Sequence, residues 1–392
     1  MVTRTAVPLV AILVLGAGAP EVGTLVAVQS AGVLIVGLIA GAVVDRVRRR
    51  PVLIAADLVR AAVLLWIPFA FVGGLLRIEQ LYVVVFLVAV LSAFFESAYR
   101  AYLPSLVGLE RTLEGNSKLG VSASVAEVAG PGFTGALIQV VSAPFAILVD
   151  AVSYLVSAAS LLLIRSREPK RQVRPAGSHI AGEISEGLRV VGRHPLLRAL
   201  SASSVTQHFF GSFIGALYSI YLIRDLGLSP LVLGLLISVG GVGALAGAAL
   251  AVPVTKRLGQ GPALIVTAFI EGLLKFLLPL AAVVPAFAVA FFFVGQLVGD
   301  ALISAHFIVH MTVRQQVTED RLLGRVGATI NVLEHGVAPF GALIAAALAA
   351  RYGTQLTLLI AAMGTLTATG WLVFSPLRSL RLATATGATL AR

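Results

Sequence analysis

Seven acidic residues stand inside long apolar segments of this sequence, where an ionised group is hardest to keep. They are Asp57, Glu96, Glu127, Asp150, Glu271, Asp300 and Glu334. A charged side chain at membrane depth costs several kcal/mol, and acids retained there mark ion or proton pathways by default. A carboxyl group in low-dielectric surroundings can bind and release a proton near neutral pH. Proton exchange is therefore the chemistry that these residues predict.

Three of the acids are candidates for proton coupling. Glu96 is the first choice, because Arg100 follows at i,i+4 spacing and Ser92 shares its helix face. Substitution of Glu96 by glutamine is then expected to uncouple transport from a pH gradient. A structural ion pair near a helix end is an equally good interpretation of Glu96 and Arg100. Asp300, on a stripe with Gln296 and His310, is the second candidate, and Glu127 is the third.

The remaining polar groups within apolar segments indicate a binding cavity and give no sign of catalysis. The cavity or substrate candidates are Arg100, Gln296, His208, His310 and Glu334. His306 and His335 are further possible proton relays, although a lone buried histidine is more often hydrogen-bonded filler. The chain has no cysteine and no His-Glu-x-x-His pattern, nor any Ser/Lys or paired-Asp arrangement. We therefore expect no enzyme activity, no metal and no cofactor. Asp150, Glu271 with Lys275, and Asp57 with Arg60 are interpreted as packing or gate struts.

The composition is that of an integral membrane protein. Of 392 residues, 58% are hydrophobic and only 12% are charged, and the mean hydropathy is +0.98. A spanning helix needs about 20 apolar residues. On that criterion we predict spans at roughly 22–44, 52–73, 80–103, 117–140, 145–164, 196–223, 231–254, 262–283, 286–313, 325–350 and 355–374. The apolar segment 5–16 before them is too short to cross a bilayer.

The loops predict the orientation of the chain. If the loop containing Arg46 to Arg50 is cytoplasmic, most basic residues outside the spans fall on the inner side, and only Arg77, Arg224 and Arg351 on the outer side. This is a strong positive-inside bias. The net charge of +11 then reflects membrane topology, and no nucleic-acid partner is needed to explain it. The amphipathic stretch from His179 to Leu200 predicts a helix on the inner membrane surface, with a plain solvated linker as the alternative.

An internal repeat divides the chain into two halves. A shift of 211 residues aligns Leu15, Gly16, Gly23, Leu25, Gly32, Arg46, Pro51, Leu53 and Ile54 with Leu226, Gly227, Gly234, Leu236, Gly243, Arg257, Pro262, Leu264 and Ile265; a shift of 208 to 209 aligns later segments. Parallel repeats of this kind characterise one class of secondary transporters. We predict an all-α membrane fold of two six-helix bundles related by a pseudo-two-fold axis. The predicted parts are an N-terminal bundle at 1–164, a cytoplasmic linker with the interfacial helix at 165–195, a C-terminal bundle at 196–374 and a cytoplasmic tail at 375–392. The first helix is expected to be truncated by about 15 residues relative to its repeat.

Two motifs carry a resemblance to the major facilitator superfamily over essentially the whole chain. Gly41, Asp45, Arg46, Arg49 and Arg50 follow the family's pattern after its second helix, with Arg48 at a position where the family usually has glycine. The resemblance implies that this loop is an inner gate; charge that only sets topology is the alternative, and Asp45 argues against it. Gly130, Pro131 and Gly135 resemble the family's antiporter motif, with Thr134 replacing a glycine. That motif accompanies export.

Four further segments resemble the bacterial drug and siderophore exporter branch that includes macrolide efflux proteins and the enterobactin exporter. They read SAFFESAYRAYLPSLV, LVDAVSYLVSA, EGLRVVGRHPLLRAL and RLLGRVGATINVL. The resemblance implies that spans 1, 4, 7 and 10 line the cavity. It also implies proton-coupled export of a lipophilic small molecule by a monomer in the bacterial inner membrane, with a cytoplasmic C-terminus. A same-fold importer or uniporter, and a truncated inactive transporter, are the alternatives.

Overall fold

The described part of the chain is helical throughout in the computed structural model, which describes residues 2–44, 47–108, 111–164 and 180–380. The helices are α1 (Val2–Leu13), α2 (Ala19–Val44), α3 (Arg49–Val72), α4 (Ile78–Val107), α5 (Thr112–Val141), α6 (Ala143–Leu163), α7 (Ile180–Arg193), α8 (Pro195–Ile220), α9 (Pro230–Leu258), α10 (Gln260–Leu274), α11 (Leu277–Val283), α12 (Ala288–Gln316), α13 (Leu323–Tyr352) and α14 (Thr354–Val373). A π-helical turn, Tyr221–Asp225, extends α8.

Each predicted span corresponds to helix in the structure. Ten of the helical segments among the described residues are long and apolar enough to cross a membrane. Helix α8 carries Arg198, Gln207 and His208 and falls outside that group. Helix α1 has 12 residues, too few for a span.

The predicted span at 262–283 corresponds to the candidate span Gln260–Val283, which consists of two helices. Helix α10 ends at Leu274 and α11 begins at Leu277. The carbonyl of Lys275 has no amide partner four residues later, since residue 279 is proline. It accepts instead from the amide of Leu278, at 3.2 Å. The α-helical ladder is therefore interrupted at Lys275 and Phe276.

The chain forms two compact units. The first comprises Met1–Gly177, Ser212–Ser238 and Ala338–Thr357. In it α3 packs on α4 and α6, and α1 packs on α5 and α6. A hydrophobic core joins α2, α3 and α4 and contains Val44, Leu53, Ala98 and Tyr102.

The second unit comprises Ser178–Gly211, Val239–Val337 and Leu358–Arg392. Its main core draws residues from α8, α10, α12 and α14, among them Leu200, Leu264, Val313 and Leu372. Helix α7 packs on the start of α13, where Val191 is buried with Val326 and Ile330. In the same place the Glu186 carboxylate and the Arg325 guanidinium form an ion pair at 2.5 Å.

Within the first unit, α5 crosses α9 at backbone contact. A Cβ atom on Gly135 would overlap the carbonyl oxygen of Pro230, and one on Gly234 would overlap the carbonyl oxygen of Pro131. The Gly132 amide donates to Ser238 Oγ at 2.9 Å. Small residues permit such an approach between spanning helices, and a side chain at Gly135 or Gly234 would force the two helices apart.

The α5–α9 crossing predicts an efficient disulfide between G132C and S238C. A Cβ on Gly132 would lie 3.8 Å from the Cβ of Ser238, and disulfides have a Cβ separation of about 3.8 Å. Mild oxidation should protect both thiols of the double variant from a maleimide mass tag, and reduction should restore labelling.

The chain contains no native cysteine, so the wild type is an unlabelled background. G132C/V252C is the matched control, because residue 252 lies about 21 Å along α9 from Ser238. Full labelling of oxidised G132C/S238C would contradict the crossing.

Candidate functional site

Asp300 lies in the middle of α12 against the bare backbone of α9. Its Oδ2 atom occupies the place that a Cβ on Gly240 would take, and the Gln296 side chain approaches the same glycine. Further along the crossing, a Cβ atom on Gly243 would overlap the carbonyl oxygen of Leu297, and one on Gly247 would overlap that of Ala301. The glycines of α9 therefore let a carboxyl and an amide group lie between two helices, near the middle of the α12 span.

A second polar cluster joins α8 and α13. Ser204 Oγ donates to Glu334 Oε1 at 2.5 Å, and the rings of His208 and His335 are 5.9 Å apart. The Nδ1 atoms of these histidines lie 2.9 and 3.0 Å from the carbonyls of Ser204 and Asn331. The structure thus brings together two of the predicted cavity residues, Glu334 and His208.

His310, predicted to share a stripe with Gln296 and Asp300, faces a different neighbour. Its Nε2 is 3.4 Å from the Leu200 carbonyl of α8, and its ring stacks on His306. His306 Nδ1 is 2.9 Å from the hydroxyl of Thr267 on α10. Both histidines are buried, so they sit in the core of the second unit. Among the described residues no group of three or more His, Cys, Asp or Glu could hold a metal ion.

Glu96 and Arg100 form the predicted i,i+4 pair on α4, at 3.3 Å, but both side chains are mostly exposed, at 67% and 81%. Ser92, predicted to share their face, accepts a hydrogen bond from Arg60 at 3.2 Å instead. Glu127 is exposed on α5. Neither acid is held in a low-dielectric setting by the described residues.

Asp57 and Arg60 on α3 form a buried ion pair in the first unit. The Arg60 guanidinium lies between two rings, 4.4 Å from the centroid of Phe95 and 4.3 Å from that of Tyr154. The sequence paired the two charges by spacing, whereas the aromatic sandwich depends on α4 and α6 and has no local signal. Asp150 on α6 accepts from the Thr3 amide at 2.6 Å.

The two family-like motifs occupy helix junctions. Arg50 donates from Nε and one terminal nitrogen to the carbonyls of Leu161 and Leu162 at the end of α6, both at 2.9 Å. A cation is favoured at that negative helix end. Asp45 and Arg46 lie outside the described residues, Gly41 lies within α2, and Arg49 begins α3.

The antiporter-like motif lies at the α5–α9 crossing. The backbones of Pro131 and Gly135 contact α9 there. The Gly130 carbonyl accepts a hydrogen bond from the Thr134 hydroxyl at 2.7 Å. The threonine that departs from the family pattern thus turns its hydroxyl back onto its own helix.

Comparison with known proteins supplies the family. The model of the Major Facilitator Superfamily matches residues 1–214. An uncharacterised MFS-type transporter of Bacillus subtilis, YvqJ, is 28% identical over 306 residues, covering 76% of this chain and 70% of that protein. The multidrug efflux pump Tap of Mycolicibacterium fortuitum is 28% identical over 366 residues, covering 89% and 86% of the two chains.

Solved structures agree in fold. The nucleoside transporter NupG matches with a TM-score of 0.72 and 10% identity, over 95% of this chain and 96% of that one. A bacterial homologue of the iron transporter ferroportin, in an inward-facing state, matches with a TM-score of 0.70 and 19% identity, over 96% of both chains. The chain is a multi-pass membrane transporter, not an enzyme, and belongs to the Major Facilitator Superfamily.

Proposed function

We propose that this transporter exports a lipophilic small molecule in exchange for protons, from the inner membrane of a bacterium, as a monomer with a cytoplasmic C-terminus. The observation that carries the proposal is the carboxyl group of Asp300, in the middle of a spanning helix against Gly240. A group that costs several kcal/mol to keep there is retained for a function. The efflux pump of Mycolicibacterium fortuitum, similar over most of both chains, supports the direction of transport.

Asp300 is preferred over Glu96 as the coupling acid on physical grounds. Coupling requires an acid whose charge state changes the energy of the protein. The side chain of Glu96 is 67% exposed and pairs with Arg100 one turn along its own helix. Asp300 is only partly exposed and contacts the backbone of a second helix. Protonation of Asp300 therefore removes a costly charge from a helix crossing.

We predict that cells expressing the chain expel a fluorescent lipophilic cation faster than empty-vector cells. A proton ionophore should abolish the difference, because the proton gradient supplies the energy. D300N should lose the ionophore-sensitive component, and E96Q should retain it.

The control is the ionophore's effect on empty-vector cells. Ionophore-sensitive efflux by D300N would remove Asp300 from coupling. Faster accumulation of the dye, in place of efflux, would identify an importer or uniporter.

The cluster of Ser204, His208, Glu334 and His335 supplies the polar part of the proposed substrate site. A carboxylate there offers a counter-charge to a cationic substrate, and two imidazoles offer aromatic faces. Apolar surface around a few convergent polar groups is the usual form of a small-molecule site.

E334Q should slow the efflux of cationic dyes more than that of a neutral dye of similar size, because the amide keeps the shape and loses the charge. S204A, which removes the hydrogen bond to Glu334 and leaves the carboxylate, is the matched variant and should affect both dyes alike. Equal loss for both dyes in E334Q would show that Glu334 does not select for charge.

Alternating access requires helix contacts that form and break. We propose that the α5–α9 crossing opens during the cycle, since it joins a helix of the first half to a helix of the second. Oxidised G132C/S238C should then stop efflux, and a reductant should restore it. Oxidised G132C/V252C serves as the control. Full efflux with the disulfide closed would show that the crossing stays shut throughout transport.

A further inference from the structure

The second unit has a cavity where α8 begins and α14 ends. Its volume is about 510 Å³, which is within the usual range for sites that hold a small molecule. The first turn of α8, the last two turns of α14 and the residues that follow α14 form its walls. The lining includes Arg198, Thr367, Gly370, Trp371, Phe374 and Ser375. None of these residues belongs to the coupling or substrate sites proposed above.

The segment after α14 holds one wall of the cavity in place. Ser375 Oγ donates to the Leu372 carbonyl at 2.7 Å and accepts from the Leu377 amide at 3.2 Å. The Leu377 carbonyl lies directly on Gly261 of α10, where a Cβ atom would overlap its oxygen. The Gly261 amide donates to the Leu380 carbonyl at 3.1 Å. The wall is therefore anchored to the start of α10 and keeps its shape without a ligand.

Two aromatic side chains of the cavity are exposed. Trp371 is 54% exposed and Phe374 is 91% exposed, at the point where the α14 span ends. The Trp371 indole nitrogen donates to Thr206 Oγ1 of α8 at 3.1 Å, and this bond fixes the ring beside the cavity. Aromatic residues at the ends of spanning helices lie at the boundary between acyl chains and headgroups. The cavity is therefore expected at the level of the lipid headgroups.

The charge at the cavity is positive. Arg198 is exposed, and within the described parts of the chain no acid forms an ion pair with it. A second exposed arginine, Arg378, follows in the turn after α14. Helix α8, helix α14 and residues 374–380 contain no aspartate and no glutamate. The elements that line the cavity thus offer a cation and no carboxylate to a ligand.

This combination selects the chemistry of the ligand. A guanidinium binds a phosphate group through two parallel hydrogen bonds. An ethanolamine or choline group would bring a second cation to a cavity whose lining elements have no acid to receive it. A free phosphate ion would satisfy Arg198 but would leave both aromatic rings without an apolar partner. A lipid with an anionic headgroup satisfies both, and basic pockets between spanning helices bind such headgroups.

We propose that this cavity binds one anionic glycerophospholipid of the surrounding bilayer, with its phosphate on Arg198 and its acyl chains along Trp371 and Phe374. In the orientation proposed above, the lipid belongs to the cytoplasmic leaflet. The proposal is independent of what the transporter carries and of the ion that drives it. A lipid bound here joins the start of α8 to the end of α14.

Tryptophan fluorescence tests the site directly, because the chain contains only two tryptophans, Trp66 and Trp371. In W66F the emission comes from Trp371 alone. The protein is placed in phosphatidylcholine vesicles that contain, at equal mole fraction, either phosphatidylglycerol or phosphatidylcholine with brominated acyl chains, which quench a neighbouring indole. W66F should be quenched more strongly by the brominated phosphatidylglycerol. W371F is the matched control, because Trp66 is exposed on α3 and does not line the cavity; it should be quenched equally by both lipids.

Three variants in the W66F background assign this preference to the cavity. R198Q should reduce the preference for phosphatidylglycerol roughly fivefold, the effect of one arginine beside an anionic headgroup. G370L should also reduce it, because a Cβ on Gly370 meets only the Phe374 ring, at 3.9 Å, and a longer side chain fills the cavity while Arg198 remains. R77Q removes an exposed arginine just before α4 and should keep the full preference.

Equal quenching of Trp371 by the two brominated lipids would overturn the proposal, as would a preference of the same size at Trp66 or in R198Q. Inorganic phosphate separates a lipid site from a site for a soluble anion. Compared with potassium chloride at the same ionic strength, it should leave the preference unchanged. Selective loss of the preference in phosphate would show that the cavity holds a soluble anion in place of a lipid.

Discussion

The cost of placing a charge in the hydrocarbon core governs where this chain keeps its acidic residues. Several kcal/mol per group leave three solutions: pair the acid, expose it, or let it take up a proton. Asp57 is paired with Arg60 beneath two aromatic rings, and Glu96 and Glu127 are exposed. We assign the third solution to Asp300, which lies against the backbone of α9 at Gly240. The proposed function follows from that third solution.

Glycine at helix crossings sets the geometry that makes the third solution possible. Gly240, Gly243 and Gly247 bring α9 onto α12 so closely that the Asp300 carboxyl lies on bare backbone. At such a contact no water layer separates the helices, and a change of charge acts directly on their packing. The crossing of α5 with α9 uses the same principle in the first unit, at Gly135 and Gly234. A transporter needs contacts that are tight yet lack interlocking side chains, and glycine provides both.

The helices were predictable from the sequence, and the contacts between them were not. Runs of about 20 apolar residues place the spans, because hydrocarbon thickness fixes their length. The ion pairs at i,i+3 and i,i+4 follow from helix geometry. Pro279, four residues after Lys275, is a local signal for the helix break. The high hydropathy of the segment nevertheless predicts one continuous span. The approach of Asp300 to Gly240 depends on how α12 packs on α9, and no local pattern in the sequence indicates it.

In the proposed cycle, proton binding at Asp300 drives substrate movement. The most direct measurement uses purified protein in liposomes loaded with a fluorescent lipophilic cation, with a pH gradient imposed across the membrane. Substrate movement that follows the direction of the gradient, and protons counter-transported with it, are expected for the wild type. Both should be absent in D300N at equal reconstitution. Gradient-driven transport of the same size in D300N would contradict the account.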